Sequence, residues 1–162
     1  MNSPYLTLSA RIFKELEELG RVVERCLDIW RQFEATSDDR YLDGVALNLH
    51  SFYAGLERVL ELIVGEVDQV RPSGPNWHQE LLRQAATPVP RLRPPVLTDS
   101  TRDALDRYRG FRHVVRNIYA FQLDAEQIAP LVRNLPAVFE RITAELTRFA
   151  NALAQPIQTD SG

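Results

Sequence analysis

Two long apolar stripes at helical spacing constrain the fold more than any other feature of this chain. In the first, Leu8, Ile12, Leu16, Leu19, Val23, Cys26, Trp30 and Phe33 follow one another in steps of three or four. An α-helix puts such positions on one face, whereas a half-buried strand needs alternation at every second residue. The second stripe runs Tyr41, Val45, Leu49, Phe52, Leu56, Val59, Ile63, Val67 and Val70. Between them, Thr36-Ser37-Asp38-Asp39-Arg40 offers N-cap residues for the second helix. Two long helices with so short a link predict an antiparallel hairpin.

The remainder completes a helical domain. Arg71-Pro72-Ser73-Gly74-Pro75-Asn76 reads as a turn, and Trp77 to Ala86 as a short helix capped by Asn76. Prolines 88, 90, 94 and 95 rule out a helix over Thr87 to Pro95 and predict an extended strap within the domain. Thr98 or Ser100 then caps a third long helix reaching about Tyr119, with Leu105, Tyr108, Phe111, Val115 and Ile118 on its apolar side. Asp124 with Gln127 has the form of a capping box. It opens a last helix carrying Ile128, Leu131, Leu135, Val138, Ile142, Phe149 and Leu153, which Pro136 should kink. No segment alternates like a strand. The expected architecture is all-α: a four-helix bundle with a short extra helix and a Pro-rich connector. One domain is expected over residues 1–154, with a flexible C-terminal tail over 155–162.

Several function classes are disfavoured. Cys26 is the single cysteine, so no intramolecular disulfide forms, and it sits at an apolar position that suits a small core residue. Three separated histidines with no second cysteine give no zinc pattern, and no metal or cofactor is expected. Of these, His50 lies beside the second stripe and is expected to make a structural hydrogen bond. His78 follows Trp77, whose docking is the simpler role for that pair. The carboxylates of Glu15 to Glu18 face outwards on the first helix and imply no pocket. No apolar run is long enough to span a membrane, and no secretory leader is visible, so a reducing cytoplasm is the expected location.

Charge is unevenly spread. The formal net charge of −3 divides into −6 over residues 1–70, +5 over 71–119 and −2 over 120–162. The basic middle could meet an anionic partner, although the chain as a whole would not bind nucleic acid indiscriminately. Its focus is the third long helix. From 107 to 116 it carries four arginines and no acid. Arg102, Arg109 and Arg116 recur every seven residues opposite the apolar arc. Arg112 and Tyr119 lie on its border, and His113 and Asn117 are neighbours at i, i+4. Like charges at these spacings oppose a helix by a few tenths of a kcal/mol per pair, roughly. A carboxylate, a phosphate or a second copy of the chain would offset this. A solvated face partly neutralised by Asp103 and Asp106 would need no partner.

The pattern Arg112-x4-Asn117-x-Tyr119, followed by Leu123-Asp124 and a capped helix containing Leu135-Pro136, resembles the HEPN superfamily, and within it the HepT-type toxins. Their signature is an arginine, four to six residues, a histidine, and a tyrosine two further on. The second-helix segment Leu49 to Arg58 agrees with that group. The resemblance implies a metal-independent endoribonuclease that acts as a homodimer, with two copies of the 100–119 helix meeting at one RNA cleft. It implies that Arg112 positions the scissile phosphate, that His113 helps to line the cleft, and that Arg109 and Arg116 bind RNA phosphates. It implies neutralisation by a minimal nucleotidyltransferase antitoxin, with Tyr119 as the residue that receives AMP. Asn117 departs from the signature: it stands where the histidine is expected, and an amide cannot titrate. Three outcomes are open. His113 takes over the proton transfer, or the site runs on phosphate stabilisation alone, or the chain is a non-catalytic helical subunit that binds a nucleotide or a partner of a nucleotidyltransferase complex.

Overall fold

The computed structural model describes residues 3–155, and they form five α-helices and no strand. Helices α1 (Ser3–Thr36) and α2 (Tyr41–Ile63) are the predicted hairpin. Every residue of the first stripe is buried except Phe33, which packs half-buried against the core. The second stripe is buried from Val45 to Val67, but its end members Tyr41 and Val70 are exposed. Ser37, in the left-handed region at φ 53°, stops α1. Asp38 then turns the chain towards α2, its carboxylate accepting from the Arg40 N–H at 3.0 Å, while Arg40 is the N-cap and makes no side-chain capping bond. Gly55 allows α1 and α2 to close on each other, since a Cβ there would sit 2.9 Å from Leu19 Cδ2.

A π-helical turn (Val64–Asp68) ends α2 and leads to α3 (Trp77–Ala86), α4 (Asp99–Arg116), a 3-10 turn (Ala120–Gln122) and α5 (Ala125–Ala154). Helix α1 packs mainly on α2 and α5, while α4 meets α2, α3 and α5. The buried face of α4 is Leu105, Tyr108 and Phe111, and the Tyr108 hydroxyl donates to the Leu131 carbonyl of α5 at 2.7 Å. Cys26 is buried in the core, where loss of solvation pushes its thiol up to about 12.

Caps differ in part from expectation. Thr98 caps α4, accepting from the Thr101 N–H. Glu145 of α5 adds to it, accepting from the Thr98 N–H and the Thr101 hydroxyl, so a buried carboxylate closes the positive end of α4. Asp124 caps α5 through the Glu126 N–H at 2.9 Å, without the return bond of a capping box. Asn76 contributes only its carbonyl to α3, accepting from Glu80 N–H. Helix α5 continues through Pro130 and Pro136. Each lacks an N–H and so leaves one carbonyl a turn earlier without its intrahelical donor, a bend site rather than a break.

Two expectations are corrected. The Pro-rich segment does not stretch across the domain but doubles back, with Val89 bridged to Arg93 and Arg91 at φ 68°. Arg93 is the reason. Its buried guanidinium donates to both Asp68 carboxylate oxygens and to the carbonyls of Gln84, Thr87 and Pro94, which winds the segment around it. Helix α4 does not reach Tyr119. It stops at Arg116, with Asn117 at φ −116°, ψ 6° as its C-cap. Tyr119 is extended and precedes the 3-10 turn. Of the tail expected over 155–162, residues 156–162 lie outside the described residues.

Candidate functional site

The cationic face of α4 opens onto a groove of about 580 Å³, walled on the other side by the start of α3 and the turn before it. Arg109, Arg112, His113, Arg116 and Asn117 come from α4 and its cap. Pro75, Asn76, His78 and Gln79 face them. Three arginines and two histidines line the groove, and no carboxylate does.

A carboxylate lies beneath it. Glu57 belongs to α2 and is only 5% exposed. Its two oxygens are divided between two partners: Oε1 accepts from Arg112 Nη1 at 3.2 Å, and Oε2 lies 2.7 Å from His78 Nδ1. Arg112 Nη1 is also 3.2 Å from that same imidazole nitrogen. The shorter contact to an anion assigns the proton to Nδ1, which therefore donates to Glu57. On the other side of Arg112, Nε donates to His50 Nε2 at 3.3 Å. Burial, then the Arg112 and Arg116 cations, hold the His50 pKa below its ordinary value, so this imidazole stays neutral and can accept. Tyr53, next along α2, is kept protonated by burial and by the Glu57 charge. The Arg112 head is thus held by hydrogen bonds to His50 and Glu57, with the His78 ring alongside, and Nη2 has no hydrogen-bond partner among the described residues.

The other α4 cations are held differently. Arg109 pairs with Asp106 at 2.7 Å, and Arg102 with Asp99 and Asp103. Arg116 is exposed and forms no ion pair among the described residues. His113 is exposed on the rim. Asn117 Nδ2 donates to the His113 carbonyl at 2.7 Å, so its amide helps to end the helix.

The structure therefore brings Arg109, Arg112, His113, Arg116 and Asn117 together and leaves Tyr119 out. Tyr119 is 73% exposed and stacks at 5.7 Å on Phe121, which is 81% exposed. Beyond Arg116 lies a second, more apolar groove lined in part by Leu47, His50, Val115, Ile118 and Leu123. His50, Glu57 and His78 were not chosen as site residues from the sequence. One signal was present: Glu57 is an acid inside an apolar stripe, seven residues and so two turns from His50 on the same face. His78 gave none, because only the packing of α3 against α2 and α4 brings it to the site.

The all-α bundle is consistent with a HEPN-like fold. A family model described as HepT-like protein matches residues 44–153, and the chain belongs to that family. No curated protein and no solved structure matches the chain. No described helix is long and apolar enough to cross a membrane, and no cluster of potential metal ligands occurs among the described residues.

Proposed function

We propose that this protein is a HEPN-type toxin component, a metal-independent endoribonuclease that acts as a homodimer in the cytoplasm. One observation carries the reading: the groove is lined by three arginines with no lining acid among the described residues, while the carboxylates beside it are already engaged, Asp106 on Arg109 and the buried Glu57 on Arg112 and His78. Such a groove attracts a polyanion and offers planar donors to a phosphate. Arg112, preset by Glu57 and His50, stabilises the charge that builds on the phosphate during attack, and Arg116 and Arg109 hold the flanking backbone. His113 and Asn117 contact the bound strand at the rim. Leu47, Val114 and Phe121, exposed on and beside the α4 end, support pairing of two copies through this helix. Tyr119, equally open, is the residue a minimal nucleotidyltransferase antitoxin would modify with AMP, placing a charged nucleotide beside the RNA path.

Arg116 gives the clean test, because it bears no ion pair among the described residues. Wild-type protein is expected to cleave single-stranded RNA in EDTA. Arg116→Ala should lose about ten- to a hundredfold in kcat/KM, the scale of one hydrogen bond to a charged group. Equal cleavage by both proteins would contradict the placement of RNA in this groove.

A second reading is favoured by Asn117. Its amide serves the helix end and provides no titratable group where the signature has histidine. The chain would then be a non-catalytic subunit that binds a nucleotide or a nucleotidyltransferase. Asn117→His separates the two. If the natural chain is inert and the variant cleaves RNA, the subunit reading holds. If the natural chain cleaves and the variant differs by less than about tenfold, far below the usual loss of an acid–base group, the nuclease reading holds.

A further inference from the structure

We propose that His78 of α3, and no residue of the α4 motif, is the proton acceptor of this groove. The inference rests on the nuclease reading above and supplies what Asn117 cannot. Three geometric facts point to it. First, His78 lines the groove opposite the arginines, with its side chain 27% exposed. Second, its Nδ1 is taken by a buried carboxylate at 2.7 Å, which fixes the tautomer and leaves Nε2, with no partner among the described residues, as the free lone pair. A base oriented by a third group, here a buried carboxylate, is the arrangement that marks a general base. Third, the same carboxylate binds Arg112, so proton acceptor and phosphate donor are fixed to one anchor and cannot drift apart. Stacking of the Trp77 indole on the imidazole, centroids 3.7 Å apart, immobilises the ring further.

His113, the alternative acceptor, has none of this support. It is exposed, and no hydrogen bond among the described residues fixes its ring. Glu57 is then a positioning residue that acts through His78 and Arg112. In the proposed step a ribose 2′-oxygen attacks the adjacent phosphorus and passes its proton to His78 Nε2. The bond from phosphorus to the 5′-oxygen breaks. That oxygen takes a proton from water, and the imidazolium returns its own proton to the hydroxide. The products are a 2′,3′-cyclic phosphate and a free 5′-hydroxyl.

The test compares wild type, His78→Ala and His78→Asn on one single-stranded RNA in EDTA, with folding checked by circular dichroism. The asparagine can keep the bond to Glu57 and so guards against loss of fold. Both variants are expected to lose about 10²–10⁴ in kcat, the range for removing an acid–base group. Added imidazole should restore at least about tenfold to His78→Ala, where the ring has been vacated, and not to His78→Asn. Cleavage by the wild type with either folded variant within about threefold of it overturns the role of His78 and leaves the nuclease reading standing. A slow His78→Ala that imidazole does not rescue also overturns it, since a purely structural role fails in that way. An inert, folded wild type overturns the nuclease reading and this inference together.

Discussion

Arg112→Ala is expected to lower folding stability by about 3–5 kcal/mol as well as abolish activity. Glu57 is buried at 5% exposure, and Arg112 is its only cationic partner among the described residues apart from whatever charge His78 carries. Removing the guanidinium leaves a buried carboxylate with the His78 N–H as its remaining partner, and that desolvation cost exceeds the loss of a surface pair. His50 also loses the donor to its Nε2. Urea unfolding followed by circular dichroism reads the effect. The double variant Arg112→Ala, Glu57→Gln should recover much of the loss, because a neutral amide is cheaper to bury than a charge that has lost its cation. A single-variant effect under about 1 kcal/mol would show that Glu57 is not held by Arg112. The consequence for function is practical: inactivity of Arg112→Ala alone does not separate chemistry from folding, whereas Arg116→Ala does.

Arg93→Ala should be comparably costly, about 3–5 kcal/mol, for a reason far from the groove. The Arg93 and Asp68 side chains are 0% and 6% exposed, so neither charge is screened by water. Asp68 loses solvation on burial, which would raise its pKa. The hydrogen bonds from Arg93 and Gln84 outweigh this and hold the carboxyl below the usual range. A carboxyl lowered in the folded state adds stability above its unfolded pKa of about 3.9, and that part is lost as pH falls through the lower folded value. Thermal unfolding at neutral pH should therefore show the full deficit in Arg93→Ala, and the difference from wild type should shrink in strong acid. Equal melting of the two proteins at neutral pH would remove the anchor assigned to this pair. Helix α3 leans on it through Gln84, which donates to Asp68 at 2.8 Å. The far wall of the groove thus depends on a salt bridge at the other end of that helix.

The helices were legible because amphipathic periodicity is a local signal repeated many times. Leu8 to Trp30 and Val45 to Val67 could be assigned to one face each from spacing alone, and those residues are buried. The errors fall where a single side chain overrides the pattern. A seven-residue recurrence carries α4 on to Tyr119, but Asn117 turns its amide back on the His113 carbonyl and ends the helix. Four prolines argue for an extended strap, but a buried Arg93 collects carbonyls and folds it over. The arginine cluster itself was plain in the sequence. Its counter-charge was not, since Glu57 lies 55 residues from Arg112 and 21 from His78 along the chain. Only the packing of α2, α3 and α4 makes them neighbours. The like-charge strain read from α4 is met in two ways: Asp99, Asp103 and Asp106 pair locally, and Glu57 pairs from below.

The most direct measurement is mass spectrometry of the ends left on a defined single-stranded RNA incubated with the purified protein in EDTA. The groove chemistry predicts fragments ending in 2′,3′-cyclic phosphate with matching 5′-hydroxyls, and no cut where the scissile ribose lacks its 2′-hydroxyl. Intact RNA in the presence of excess folded protein, or cleavage that ignores the 2′-hydroxyl, would contradict it.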